Sequence, residues 1–291
     1  MKSTNNEDND RLLNSDLSIR LEGLDFRYSK SSNNVLKDLN IEIEGPQLVS
    51  ILGPNGAGKS TLIHCMNKIL EPTGGTVLIN GYDASTISLK ELAKISSYVP
   101  YTSTDSFPLT VVDTILMGRH PHSKWGSLEK DLEIVHDSMR LLCIEDLADS
   151  MFNELSAGQH QKVMLARGFA QEPRILFLDE PTSNLDIKYQ LEITRILRQM
   201  SREKNVLVIM ISHDINIAAK YSDNIIVLFN QGIYDVGLPE DVITADMLKE
   251  VYNVDADIIM DHGKPHILLR DDTGCDPLAE GSRVTVGDKM Q

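Results

Sequence analysis

The chain has 291 residues, of which 41% are hydrophobic and one is Trp, enough for the sizeable core of an ordinary soluble α/β protein. Its 43 Asp and Glu against 28 Lys and Arg give a formal net charge of −15, which argues against a protein built to grip nucleic acid, since that work needs a basic stripe. The longest aliphatic run, 206–211, is far short of the ~20 residues of a membrane-spanning helix, and the first ten residues lack the apolar centre of a secretory signal.

Residues 1–17 read as a flexible tail. From 18 to 28 the pattern alternates (Ile19, Leu21, then Leu24, Phe26, Tyr28), as a strand with one buried face does, and the alternation resumes at Leu36, Leu39, Ile41 and Ile43. Antiparallel strands therefore precede the most informative stretch. There Val49-Ser50-Ile51-Leu52 leads into Gly53-Pro54-Asn55-Gly56-Ala57-Gly58-Lys59-Ser60-Thr61, which fits GxxxxGK[ST]. Glycines at these places let consecutive N–H groups surround an anion without Cβ clashes. Lys59 can then reach β- and γ-phosphates and Ser60 can offer a hydroxyl to Mg²⁺. Leu62, Ile63, Met66, Ile69 and Leu70 share one helical stripe, so a helix is expected to run on to Glu71-Pro72.

A strand over 76–80, a helix over 89–95 and a strand over 97–99 follow. From 101 to about 153 the pattern turns helical and more polar, with candidate helices at 109–117, 128–143 and 144–149. Ser156 with Gln159 forms a capping box at the start of a helix that Pro173 stops; its N-terminus, with Gly158 beside it, is suited to an anion. The apolar strand Ile175-Leu176-Phe177-Leu178 then delivers Asp179 and Glu180 to a sheet edge. Adjacent carboxylates there suit a Mg²⁺ ligand (Asp179) and a group that orients or deprotonates water (Glu180). A helix over 188–202 and a buried strand over 206–211 lead to Ser212-His213-Asp214. His213 is a candidate γ-phosphate contact, with capping by Ser212 or Asp214 the plainer alternative. The last core strand is 225–229, with a hairpin turn after it. Tyr28 can either cover an adenine or fill the core. Cys65, Cys143 and Cys275 have no ligand spacing, and nothing completes a metal site around His120 and His122 or His262 and His266.

Together these motifs resemble the nucleotide-binding subunit of ABC transporters, from about residue 19 to 269. The resemblance implies a P-loop NTPase ABC ATPase core with an antiparallel β subdomain and an inserted α-helical subdomain. The expected division is an ATP-binding domain over 18–270, with the helical subdomain at about 101–155 and a C-terminal appendage at about 238–270, then a flexible tail over 271–291. It implies that 53–61 is the Walker A loop, that Asp179 closes the Walker B strand with Glu180 catalytic, and that Leu155-Ser156-Ala157-Gly158-Gln159 is the signature. Asp186 falls in the D-loop, His213 at the switch and Tyr28 at the adenine-stacking position. ATP and Mg²⁺ are the implied cofactors. The implied partners are a second copy packed head to tail, a membrane permease at the cytoplasmic face and, indirectly, an extracytoplasmic substrate-binding protein.

Two departures stand out. Ala157 replaces the second signature glycine, a change that similar importers also show. Tyr101 stands where the family has a glutamine that touches Mg²⁺ or the attacking water, and no glutamine lies between Gln47 and Gln159. A phenol lacks the amide's reach, so activity is expected to be lower or differently coupled. Gly118-Arg119-His120-Pro121-His122, with Trp125 and Gly126, resembles the class that powers import of ferric siderophores, haem and cobalamin. Other readings are an importer ATPase for another substrate, a soluble family member such as an iron–sulfur assembly ATPase, and a binding subunit that has lost hydrolysis.

Overall fold

The computed structural model describes residues 15–29, 33–101, 108–122, 127–183 and 185–270. The expected tails over 1–17 and 271–291 lie outside the described residues except at 15–17, where Leu17 is buried and its carbonyl accepts the Gly45 N–H, so the chain is already packed there; Cys275, Trp125, Gly126 and Asn184 also lie outside the described residues.

Strands β1 (Ser18–Phe26) and β2 (Leu36–Glu44) pair antiparallel, with Ile19 opposite Ile43 and Leu21 opposite Ile41, so the apolar set of each falls on one face. Strand β3 (Leu48–Leu52) is buried throughout and leads through the glycine-rich loop into helix α1 (Lys59–Met66). This helix ends four residues short of the expectation. Lys68 takes a left-handed φ of 55°, and the N–H groups of Ile69 and Leu70 both turn back to the carbonyl of His64. Such a turn satisfies the last carbonyls and throws Ile69 out of the stripe, leaving it exposed. Strand β4 (Gly74–Ile79) returns to the other side of β1, and the short β5 (Tyr82–Asp83) completes a four-stranded antiparallel sheet.

Helix α2 (Leu89–Ile95) opens on a Ser88–Glu91 capping box and runs directly into β6 (Ser96–Val99). The helical region follows: α3 (Val111–Leu116), a 3-10 stretch (Met117–His122), α4 (Leu128–Leu141) and α5 (Ala157–Ala170). The helix expected over 144–149 is only a 3-10 turn, Glu145–Leu147, because Cys143 adopts a left-handed φ of 52° and breaks the chain direction beyond α4. Val111, Ile115, Val135, Met139 and Phe152 pack on Val163 and Ala166 of α5. Gly118 sits so close to α5 that a Cβ there would lie 2.3 Å from the carbonyl oxygen of Arg167. Next to it, buried Arg119 donates to Asp131 of α4 at 2.9 Å and to the Ala170 carbonyl at the end of α5 at 2.6 Å. The GRHPH stretch is therefore a clamp between two helices. His122 bonds the Gln171 carbonyl at 2.9 Å, and no cluster of metal-binding side chains occurs among the described residues.

The remaining elements are β7 (Ile175–Leu178), α6 (Ile187–Glu203), β8 (Leu207–Ile211), α7 (Ile215–Tyr221), β9 (Asn224–Phe229), β10 (Gly232–Gly237), α8 (Pro239–Val242), α9 (Ala245–Tyr252), β11 (Ala256–Asp261) and β12 (Lys264–Leu269). The large sheet has the order β10-β9-β3-β8-β7-β6, parallel from β9 to β6 with β10 antiparallel at the edge. Both faces are covered, as the uninterrupted burial of β3, β7 and β8 requires. The antiparallel sheet and α1 lie over one face, with Ile51, Phe177 and Ile209 in that core, while Leu176, Val208 and Met210 face the core shared with the helical region. Parallel pairing puts the C-terminal ends of β3, β6, β7 and β8 at one edge. The glycine loop, Tyr101, the two carboxylates and His213 all follow those ends.

Candidate functional site

The loop after β3 is shaped by three glycines. Gly53 (φ 144°) would put a Cβ 2.3 Å from the Leu228 carbonyl oxygen, and Gly58 (φ 97°) would put one 2.8 Å from Leu36 Cδ2. Gly56, at φ 82°, faces open space. Pro54, Asn55 and Ala57 fill the loop between them, and the Ala57 N–H turns back to the Pro54 carbonyl. Gly58 caps α1 with no side chain, so no side chain competes for the amides at that N-terminus. Lys59 Nζ donates to the carbonyls of Gly53 at 2.7 Å and Pro54 at 3.0 Å. Burial lowers the Lys59 pKa, and the charges of Glu180 and Asp179 work against that. Thr61 Oγ1 lies 3.0 Å from the Tyr28 hydroxyl. Tyr28 is 65% exposed and packs at right angles to Phe26, which rules out the core alternative.

Across the sheet edge, β7 delivers Asp179, buried, whose Oδ1 accepts from Ser60 Oγ at 3.2 Å. Burial raises the Asp179 pKa; Glu180 adds to the rise, while Ser60, His64 and Tyr98 oppose it. Glu180 takes a left-handed φ of 51°, an uncommon backbone for a non-glycine residue and one that clusters at functional sites. One of its carboxylate oxygens bonds His213 Nε2 and the other accepts from Ser183 Oγ at 3.0 Å. The capping alternative also holds, but for the neighbour: Asp214 caps α7 through the Ile217 N–H at 2.9 Å, leaving His213 to face Glu180.

The sequence reading missed His64 and Tyr98. Tyr98, on β6, lies near enough to Asp179 that burial and that carboxylate push its pKa up, and its hydroxyl lies 2.9 Å from His64 Nε2. No local pattern marks this pair, because only the pairing of β6 with β7 brings Tyr98 beside the carboxylates. Tyr101 lies two residues past the end of β6, at the same edge, and is 41% exposed.

The second group of candidates stands apart. Ser156 and Gln159 form the expected capping box: Ser156 Oγ and N–H both reach Gln159 Oε1, and the Gln159 N–H returns to Ser156 Oγ. Leu155 is half-buried, Ser156 and Ala157 are exposed, and Gly158 lies over Leu185, where a Cβ would make ordinary contact at 3.7 Å. Asp186 caps α6 through the Tyr189 N–H at 3.0 Å. Ser156, Ala157, Gly158, Gln159 and Asp186 border one open groove of about 490 Å³, lined also by Lys162 and Tyr189.

Loop amides and Lys59 can hold a polyphosphate, the hard oxygens of Ser60 and Asp179 suit a small divalent cation, and Glu180 with His213 can orient a water. A parallel sheet carrying this loop on β3 and paired carboxylates on β7 defines a P-loop nucleoside triphosphatase. The model of the family described as ABC transporter matches residues 36–183. The chain belongs to that family and is an ABC transporter ATP-binding protein, which binds and hydrolyses ATP. It is 44% identical over 250 residues to an uncharacterized ABC transporter ATP-binding protein of Methanocaldococcus jannaschii, an alignment spanning 86% of this chain and 97% of that one. The iron(3+)-hydroxamate import ATP-binding protein FhuC of Bacillus subtilis is 35% identical over 229 residues, 78% of this chain and 85% of its own length. The solved dimeric post-hydrolysis state of an ATP-binding cassette bound to ADP and Pi is 27% identical, with a TM-score of 0.68 over 76% of this chain and 98% of that one. Among the described residues no helix is long and apolar enough to cross a membrane.

Proposed function

We propose that the chain energises import of a metal chelate, of the ferric siderophore, haem or cobalamin kind, as a homodimer bound to a membrane permease at the cytoplasmic face. A substrate-binding protein outside the membrane would deliver the chelate. The observation that carries the dimer is the exposed signature helix: Ser156 and Gly158 present an anion-suited N-terminus beside an open groove. In a head-to-tail dimer that terminus meets the γ-phosphate held by the partner's loop, with Leu155, Ala157, Gln159 and Asp186 shaping the approach. The metal-chelate class is supported by the similarity to the iron(3+)-hydroxamate importer.

In this reading Tyr28 stacks on the adenine and the backbone of 53–61 wraps the phosphates. Lys59 exchanges its two loop carbonyls for phosphate oxygens. Ser60 and Asp179 would hold Mg²⁺, which neutralises charge on the phosphates when bound. The raised Asp179 pKa fits such a site, because a buried carboxylate awaiting a cation is desolvated without full compensation. Glu180 draws a water proton toward its carboxylate, with His213 and Ser183 fixing the orientation of that carboxylate. Tyr101 stands in for the family's glutamine with a single hydroxyl, and coupling to the permease is weaker for it.

The test is uptake of labelled ferric hydroxamate and labelled cobalamin in cells lacking this chain, rescued by wild type or by Glu180→Gln. Loss of one uptake, restored by wild type alone, supports the reading and names the substrate. If neither uptake changes, the chelate assignment is wrong.

A further inference from the structure

The C-terminal elements α8 to β12 touch the nucleotide site twice. The first contact is Tyr252, at the end of α9, whose hydroxyl accepts the N–H of Gly53 at 2.8 Å across 199 residues of sequence. Gly53 is buried, begins the glycine loop, and has its carbonyl on Lys59 Nζ. Strand β3 ends at Leu52, so the Gly53 N–H lies just beyond the sheet ladder, and Tyr252 supplies its acceptor. The second contact is Asn216, three residues after His213 in the first turn of α7. Its side chain forms a two-way clasp on β12: Oδ1 accepts the Ile267 N–H at 2.8 Å and Nδ2 donates to the Ile267 carbonyl at 3.3 Å. One apolar core joins the two, since Leu52, Val251, Ala218 and Ile267 belong to the same cluster.

We propose that this C-terminal module is a brace that holds the phosphate loop and the His213 segment in their working positions, with Tyr252 and Asn216 as its positioning residues. The brace rests on the assignment of 53–61 and His213 to the ATP site. Burial pushes the Tyr252 hydroxyl up to about 12, so it stays neutral and its oxygen remains an acceptor at any working pH. Without that oxygen the buried Gly53 N–H has no acceptor, and the Leu52–Gly53 peptide has to turn to find one, which displaces the first residue of the loop whose backbone wraps the phosphates. The loop then spends most of its time in a conformation that ATP must reorganise. Apparent affinity falls by the fraction of molecules still competent, so a competent population of about one tenth raises Kd about tenfold. Asn216 acts on the other side: freed from β12, the start of α7 no longer fixes His213 against Glu180, and the loss falls on turnover.

The experiment uses the full chain, with ATP affinity read by displacement of fluorescent trinitrophenyl-ATP, kcat by phosphate release and folding by Tm. Tyr252→Phe is expected to raise the ATP Kd about tenfold with a smaller change in kcat. Asn216→Ala is expected to lower kcat about fivefold or more with a smaller change in Kd. Val251→Ala loosens the same packing while keeping both polar groups, and should lower Tm without either change. If Tyr252→Phe and Asn216→Ala behave like Val251→Ala, the module is only structural and the brace is overturned. Lys59→Ala separates the two ideas. Should it leave ATP binding intact, the loop assignment itself has failed and takes the brace with it; should it abolish binding while Tyr252→Phe is silent, the brace alone fails.

Discussion

At the P-loop edge of the sheet, Lys59, Ser60, Asp179, Glu180 and His213 are tied to one another or to the loop itself, whereas at the start of α5 Ser156 and Gln159 bond each other and leave an exposed helix terminus. The first region is built by a parallel sheet that converges four strand ends on one edge. The second is built by a cap at the start of α5, apart from the glycine loop. The contrast teaches that the chain carries a nearly closed group of residues and an open one, which is the arrangement the proposed head-to-tail dimer would use.

The largest expected effect breaks the first half alone. Glu180→Gln should reduce phosphate release by about 100-fold or more, the scale of a lost general base, while ATP affinity stays near wild type. Phosphate release beside a nucleotide-binding titration checks this. Ser156→Arg attacks the second half: it puts a bulky cation on the capping position, and should cut ATPase about tenfold or more with unchanged ATP binding to the single chain. Equal loss of binding and hydrolysis in that variant would erase the distinction between the halves.

A third prediction concerns what holds the open half in place. Burial raises the Asp131 carboxyl, but hydrogen bonds from Arg119 and Ser127 and the Arg119 charge outweigh it, so the pKa lies below the ordinary carboxylate value. A depressed folded pKa gives stability that is fully present above about pH 4, the unfolded value, and is lost as pH falls through the folded one. Asp131→Asn removes one of the two carboxylates on buried Arg119, Glu172 at 2.9 Å remaining, and should cost about 2 kcal/mol at pH 7, the worth of a charged hydrogen bond, read by denaturant unfolding, with the gap to wild type narrowing in acid. A gap that widens in acid would contradict the assignment. The smallest effect is Tyr101→Gln, expected to raise permease-stimulated ATPase about threefold, the worth of one added hydrogen bond. No change there would show that Tyr101 already serves the coupling.

The glycine loop was legible because its backbone admits little else: Gly53 and Gly58 have no room for a Cβ, and the strand and helix flanks carry their own apolar signatures. The capping box at Ser156 and the buried run before Asp179 were equally local, and both stand where the residues placed them. Helix α7 was not read, because its seven residues, Ile215–Tyr221, are too few to show a period and follow a polar triplet with several roles. Helix α1 was read too long, since the apolar stripe through Ile69 and Leu70 hid the left-handed turn at Lys68. The hairpin of β11 and β12 escaped notice for want of alternation, its turn resting on His262 and Gly263 with positive φ. What no local pattern holds is the pairing of Tyr98 with His64 or of Tyr252 with Gly53, which depends on strand order and on how the C-terminal elements fold back.

The most direct test is the mass of Glu180→Gln in solution, by light scattering, with Mg²⁺ and either ATP or ADP. Two complementary half-sites predict a dimer with ATP and a single chain with ADP, and loss of the ATP dimer when Ser156→Arg is added. A mass that ignores the nucleotide, or an ATP dimer that survives Ser156→Arg, would contradict the account.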